Sequence, residues 1–156
     1  MNIEFKAPPG VWDTEPNYVK FKHSGLKCVI RRNDMGAWCG YVQLPKGKLL
    51  DQVQRAENRR RVCPIRKRIV KSSGYSAYAL RGVAVHGGLT YCGKLRRNTG
   101  GIERGLWLGF DCAHYQDFVP KMAIFMQERH GQYRDMTYVI DETTSLAAQI
   151  KLLASG

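Results

Sequence analysis

Two short segments rich in β-branched and aromatic residues, separated by a turn, constrain the fold of this chain more than any other feature. Residues 27–32 and 37–44 are predicted strands, and Asn33, Asp34 and Gly36 between them are typical turn residues. A connection of about four residues between two such segments indicates a β-hairpin. The sequence therefore predicts a β-sheet that is built around a local hairpin.

Further strands and helices are predicted along the rest of the chain. Residues 77–91 and 106–110 have the composition of strands, and the run LRRNTGGIERG between them is predicted to be a hairpin loop. Helices are predicted over residues 118–130 and 142–153, the second with Asp141 as its N-cap. These elements predict an α+β domain, with a small mixed or antiparallel sheet of about four to five strands and two to three helices packed against it.

The composition fits one globular domain. The chain has 156 residues, of which 44% are hydrophobic and 24% are charged, enough to bury a core without metals or disulfides. We expect residues 1–156 to form a single domain and residues 1–25, with three prolines, to be an extended lead-in. The five cysteines include no C-x-x-C pair, so reduced thiols are expected. With neither a long apolar run nor a signal-peptide pattern in this sequence, we expect a cytoplasmic location and no membrane partner.

Positive charge is concentrated in one segment. The chain carries 25 Lys and Arg against 13 Asp and Glu, a net charge of +12 that attracts polyanions. Residues 46–71, the basic insertion, contain only Asp51 and Glu57 as acids, and helical spacing predicts a short helix up to about Val62. We predict that the basic insertion binds nucleic acid or a nucleotide through Arg55, Arg59, Arg60, Arg61, Arg66, Lys67, Arg68 and Lys71. The alternative is a solvated basic surface that keeps the protein soluble.

Four residues are predicted to carry chemistry, and they lie in the blocks VHGGLTYCG and LWLGFDCAHYQD. They are His86, Asp111, His114 and Asp117. Imidazole and carboxylate groups are ligands for metals such as zinc, manganese or iron, and without a metal they can act as general acid and base. Whether His86 meets the other three depends on a strand register that the sequence does not specify. Each residue also has a structural alternative; Asp117, for example, is a good N-cap for the helix predicted after it.

Two further interpretations stay open at this point. Cys112 lies two residues before His114 and is a candidate nucleophile, although free cysteines more often fill protein cores. Aromatic residues alternate with glycine and basic residues, a composition typical of single-strand nucleic-acid binders, although the RNP pattern of RRM domains is absent.

The order of the blocks WCGYV, HGGLTY, WLGFDCAHYQD and RDMTYVIDE resembles a group of small proteins encoded in bacteriophage genomes. The resemblance extends over residues 27–153, and the basic insertion stands where other members have a short loop. It implies a phage origin and a location in the cytoplasm of the host cell. Small phage accessory proteins often interfere with host machinery or with anti-phage defence.

Three functional hypotheses follow, and the sequence leaves open whether the chain is an enzyme and whether it needs a cofactor. The first is a phage-type accessory protein that binds a polyanion through its basic surface. The second is a metal-dependent phosphoester hydrolase centred on the four residues of the two blocks. The third is an anti-defence inhibitor that acts by binding a host protein.

Overall fold

The α+β class predicted from the sequence is confirmed by a computed structural model. It describes residues 9–62, 83–122 and 131–156, with residues 59–62 described by their backbone alone. This part of the chain contains five strands and two α-helices, preceded by a short 3-10 helix at Val11–Asp13. The strands are β1 (Tyr18–His23), β2 (Leu26–Arg32), β3 (Trp38–Gln43), β4 (Tyr91–Gly93) and β5 (Trp107–Asp111), and the helices are α1 (Lys48–Val62) and α2 (Met136–Ala154).

The strands form one antiparallel sheet in the order β1-β2-β3-β5-β4. The hairpin predicted from residues 27–44 is confirmed as β2 and β3, which pair with Ile30 opposite Gly40. The side chain of Asn33 accepts hydrogen bonds from the N–H groups of Met35 and Ala37 and so fixes the turn between them. The hairpin loop predicted from LRRNTGGIERG is confirmed, because it connects β4 and β5, which pair with Cys92 opposite Leu108.

Helix α2 covers one face of the sheet and forms the main core with it. Leu146, Ala147 and Ile150 on the helix are completely buried in the same cluster as core residues of β2 and β3. Such burial contributes about 1.5–3 kcal/mol for each large aliphatic side chain. Gly40 permits the close contact, because a Cβ at this position would overlap the hydroxyl of Thr143 and the ring of Phe110.

The boundaries of two elements differ from the sequence prediction. Residues 18–23 form β1, which pairs along its whole length with β2, so the predicted extended lead-in is wrong there. Helix α2 begins at Met136 rather than at residue 142, because the carboxylate of Asp135 accepts from the Tyr138 N–H at 2.8 Å and caps it.

Two predicted elements, a helix and a strand, are absent at those of their positions that the structure describes. Residues 118–122 contain no α-helix, and the Lys121 N–H, which such a helix would direct to the carbonyl of Asp117, donates instead to the carbonyl of Met35. Residues 83–90 form no strand, and β4 begins only at Tyr91. The rest of both predictions, residues 123–130 and 77–82, lies outside the described part of the chain.

The helix predicted at the start of the basic insertion is confirmed as α1, in which Val53 is buried and Arg55 is exposed. The other predicted nucleic-acid contacts lie outside the described side chains: Arg59, Arg60, Arg61, Arg66, Lys67, Arg68 and Lys71. No helix within the described ranges has the length and apolar character that crossing a membrane requires.

Candidate metal centre

The two blocks singled out in the sequence meet at one end of the sheet. Antiparallel pairing places the start of β4 beside the end of β5, so His86, which precedes β4, approaches the turn that follows β5. The ring centroids of His86 and His114 are 5.6 Å apart. One potential ligand atom from each of His86, His114 and Asp117 lies within 4.8 Å of the others. These three residues are named the histidine cluster, and their convergence answers the question of register that the sequence left open.

Asp117 is the anionic centre of the histidine cluster. Its completely buried carboxylate accepts hydrogen bonds from His86 Nε2 at 2.7 Å, the His114 N–H at 3.0 Å and Arg134 Nε at 3.0 Å. Burial opposes ionisation of this carboxyl group, but the bonds from His86, His114 and Arg134 outweigh burial and lower its pKa. Its side chain therefore acts within the cluster rather than as the predicted helix N-cap.

His86 is fixed by a hydrogen bond at each ring nitrogen. Its Nδ1 lies 2.7 Å from the Tyr138 hydroxyl, and its Nε2 faces Asp117. Because an ionised carboxylate only accepts, Nε2 carries the proton, and the Nδ1 of a neutral His86 then accepts from Tyr138. Burial, followed by the charge of Glu142, raises the pKa of Tyr138. The hydroxyl therefore stays protonated and can donate a hydrogen bond to His86 Nδ1.

His114 contributes a nitrogen that lacks a partner among the described residues. Its Nδ1 is buried without a hydrogen bond, 3.5 Å from Asp117 Oδ2 and 3.6 Å from Asp111 Oδ1. The ring packs directly on the backbone of Gly87, where a Cβ would overlap it. This position holds the imidazole against the carboxylate although about a third of its side chain, 36%, is exposed.

Asp111 lies at the margin of the histidine cluster. Its Oδ1 accepts from the Ala113 N–H at 3.0 Å, and its Oδ2 accepts from the Thr90 hydroxyl at 3.2 Å. Both bonds are local to the ends of β4 and β5, so Asp111 braces this turn. Of the four residues predicted to carry chemistry, Asp111 is the one that lies beside the cluster rather than within it.

Arg134 and Tyr138 complete the site, and the sequence analysis did not select them. The Arg134 guanidinium lies 5.0 Å from the centroid of the Tyr138 ring while its Nε bonds to Asp117. A signal was available for Tyr138 alone, because residues four apart share a helix face and RDMTYVIDE places Tyr138 and Glu142 at this spacing, whereas Arg134 precedes the helix. Glu142 also accepts from the His86 N–H at 3.3 Å.

The donor set fits a divalent transition metal. Two imidazoles and one carboxylate are typical ligands of zinc, manganese or iron, and three protein ligands leave room for a water or substrate. Outer hydrogen bonds commonly fix metal ligands, and here Tyr138 fixes His86 while Arg134 fixes the second oxygen of Asp117. Metal ligation through Nε2 would require the proton of His86 to sit on Nδ1 instead, where the N–H would donate a hydrogen bond to the Tyr138 oxygen.

Burial argues against the cysteine interpretation. Cys112 is 3% exposed, and its burial, with the negative charge of Asp117 as the next cause, raises its thiol pKa. Burial also raises the pKa of Cys28 and of Cys39 to about 11. The four cysteines in the described ranges form no disulfide, and the raised pKa values of Cys28, Cys39 and Cys112 keep these three thiols protonated at neutral pH.

Comparisons of the chain with protein-family models, with curated proteins and with solved structures give no significant match.

Proposed function

We propose that the chain binds a divalent transition metal at the histidine cluster and uses it to hydrolyse a phosphoester. The observation that supports the metal is the buried Nδ1 of His114, which has no hydrogen-bond partner among the described residues and faces the ionised Asp117. A buried polar atom without a partner costs about 1–3 kcal/mol. A metal ion ligated by this nitrogen, by His86 and by Asp117 would remove that cost.

The choice of a phosphoester rests on charge and on the chemistry of the donor set. A metal held by three protein ligands keeps an open position, where it acts as a Lewis acid and lowers the pKa of bound water to about 7. The net charge of +12 raises the concentration of polyanions around the molecule. A phosphoester combines the negative charge that the protein attracts with the bond that such a water attacks.

Metal binding is tested by elemental analysis of protein purified without chelator and by thermal unfolding with Zn²⁺ or Mn²⁺. Metal at a hundredfold excess over its Kd stabilises the folded state by about 2.7 kcal/mol, so Tm should rise by roughly 5–10 °C. The variant His114→Ala should lose this increase. The matched control is His23→Ala, which removes an exposed histidine at the end of β1. Metal-free protein whose Tm does not respond, or a response unchanged in His114→Ala, would contradict the metal centre.

The hydrolase part needs a separate measurement. Turnover of bis(p-nitrophenyl) phosphate should require the added metal and should be lost in His114→Ala and kept in His23→Ala. A protein that binds metal and shows no such turnover would overturn the hydrolase and leave the metal centre in place. The hydrolase can therefore fail while the metal centre stands.

The second candidate is a protein that binds a polyanion through the basic insertion and catalyses nothing. The observation that favours it is α1, which exposes Arg55 and continues into the Arg-rich part of the insertion. A labelled oligonucleotide should bind at low salt and dissociate steeply as salt rises. A fivefold variant with glutamine at Arg59, Arg60, Arg61, Arg66 and Arg68 should bind far more weakly. No binding at low salt, or binding unchanged in this variant, would show that this candidate is wrong.

A further inference from the structure

The sheet face opposite α2 is basic, and its charge lies outside the basic insertion. Cross-strand partners share a sheet face, and Lys20 and Lys22 on β1 pair with Val29 and Lys27 on β2. Val29 packs in the small second cluster with Trp107, away from the α2 core. We call this side of the sheet the open face, and lysines dominate it at β1 and β2.

The β4–β5 loop, residues 94–106, folds back across the open face. Leu95 packs against Val29 and Trp107, which anchors the start of the loop. The guanidinium of Arg31 donates to the carbonyl of Arg96 at 2.8 Å, which ties the loop to β2. Between the loop and the strands β1 and β2 lies a groove of about 630 Å³. Its charged and aromatic lining consists of Tyr18, Lys20, Lys27, Arg97, Glu103 and Arg104.

The positive charge of this groove exceeds its negative charge. Glu103 is its one carboxylate, and its Oε1 lies 2.7 Å from Lys20 Nζ. The hydrogen bond from Lys20 opposes the effect of burial and lowers the pKa of Glu103, so this pair is ionic and internally neutral. Arg97 Nε lies 3.9 Å from the other oxygen of Glu103, so two cations share this carboxylate. The four cations of the groove, Lys20, Lys27, Arg97 and Arg104, therefore keep a net charge of +3 to attract an anion.

We propose that this groove binds the phosphate groups of a single-stranded nucleic acid. Its two sides are basic, with Lys27 on the strand side and Arg97 and Arg104 on the loop side, so a chain of phosphates between them would contact cations on both. A volume of this size accepts ligands of the dimensions of a nucleotide. Tyr18 supplies the aromatic ring that bases contact in single-strand binders, and the tip residues Asn98 and Thr99 supply neutral hydrogen-bond donors.

The groove lies along the same row of the open face as Asp111, which borders the histidine cluster. Tyr18, Arg31, Cys39 and Asp111 are successive cross-strand partners. Three strand spacings separate the first from the last, a distance of roughly 14 Å. A strand held in the groove could therefore extend to the turn that contains His114. This last step rests on the proposed hydrolase, whereas nucleic-acid binding in the groove does not.

The test is fluorescence anisotropy with a labelled oligothymidylate between about 50 and 200 mM salt. The variant Lys27→Gln, Arg97→Gln, Arg104→Gln should bind at least about tenfold more weakly, with the slope of log K against log salt reduced by about 2. A control with the same net charge replaces three exposed lysines away from the groove, Lys48, Lys121 and Lys151, by Gln. Exposed substitutions of this kind change stability by less than about 0.5 kcal/mol each, so all variants should fold.

The outcomes separate this proposal from the alternatives. Equal loss of affinity in the groove variant and in the control would show that net charge alone attracts the strand. Loss only in the fivefold variant of the basic insertion would move the site there. Tighter binding of a duplex or of a mononucleotide than of the oligothymidylate would overturn the single-strand assignment. The variant His114→Ala should bind as the wild type does, so failure of the metal centre leaves this result unaffected.

Discussion

Replacing Asp117 by Asn tests the electrostatic basis of the histidine cluster, because the side chain keeps its size and loses its charge. The carboxylate is completely buried and accepts from Arg134 at 3.0 Å and from His86 at 2.7 Å. Removal of one partner from a buried ion pair costs about 3–5 kcal/mol. Arg134 keeps 18% of its side chain exposed, so the lower end, about 3 kcal/mol, is expected here. For a chain of this size that loss lowers Tm by roughly 6–12 °C.

The loss should depend on pH in a defined direction. The folded-state pKa of Asp117 is lowered, below the value of about 3.9 for an unfolded aspartate. Its charge therefore contributes stability that is fully present above that unfolded pKa and is lost as pH falls through the folded pKa. The difference between wild type and Asp117→Asn should shrink as pH falls below about 4.

Urea unfolding followed by circular dichroism, in the presence of chelator, measures this difference at each pH. Comparing the two proteins at the same pH cancels the titration of all other carboxylates. A difference below about 1 kcal/mol at neutral pH would show that the buried pair adds little. A difference that persists unchanged at about pH 3 would refute the assignment of a lowered pKa to this group.

Two further substitutions probe the supports of the site. Glu15→Ala removes an acceptor for the Arg32 guanidinium and the Met136 N–H. The free energy of unfolding, measured in urea, should fall by about 3–5 kcal/mol. The control Asp13→Ala, at an exposed position, should lower it by less than about 1 kcal/mol. Gly87→Ala should displace the His114 ring and abolish metal-induced stabilisation. The control is Gly88→Ala, which is also at positive φ but has no atom within 4 Å of the added Cβ. This control should only add backbone strain of about 1–2 kcal/mol. Equal metal responses in the two glycine variants would contradict the packing of His114 on Gly87.

Local sequence patterns predicted most of the sheet. Strand β1 and the start of α2 were misassigned because other residues nearby obscured their hydrophobic period. Strand β1 alternates Val19 and Phe21 with lysines, a period of two typical of a half-buried strand, but the neighbouring prolines favoured irregular structure. The first turns of α2 carry polar residues because they face the histidine cluster, so the hydrophobic period is clear only from about Leu146 onward.

The three residues of the histidine cluster were predicted from their residue types. The residues that hold them in place could be identified only from the tertiary structure. His114 and Asp117 are three residues apart and meet within one turn, whereas Arg134 reaches the carboxylate only because α2 docks on the sheet. The groove on the open face was not predicted at all, since Lys27 and Arg97 come from hairpins distant in sequence. The predicted contacts of the basic insertion outside the described side chains stay predictions.

Because the proposed metal centre is assembled from separate segments, metal binding there would be coupled to folding. His86 lies 31 residues before Asp117, and Tyr138 lies 52 residues beyond His86. In the unfolded chain only His114 and Asp117 remain close, so that state has few ligands to offer and the binding free energy appears as folding stability. Glu15 bonds to the Met136 N–H and so holds the start of the helix that carries Tyr138. Loosening α2 through Glu15 should therefore weaken metal binding while all three ligands are intact.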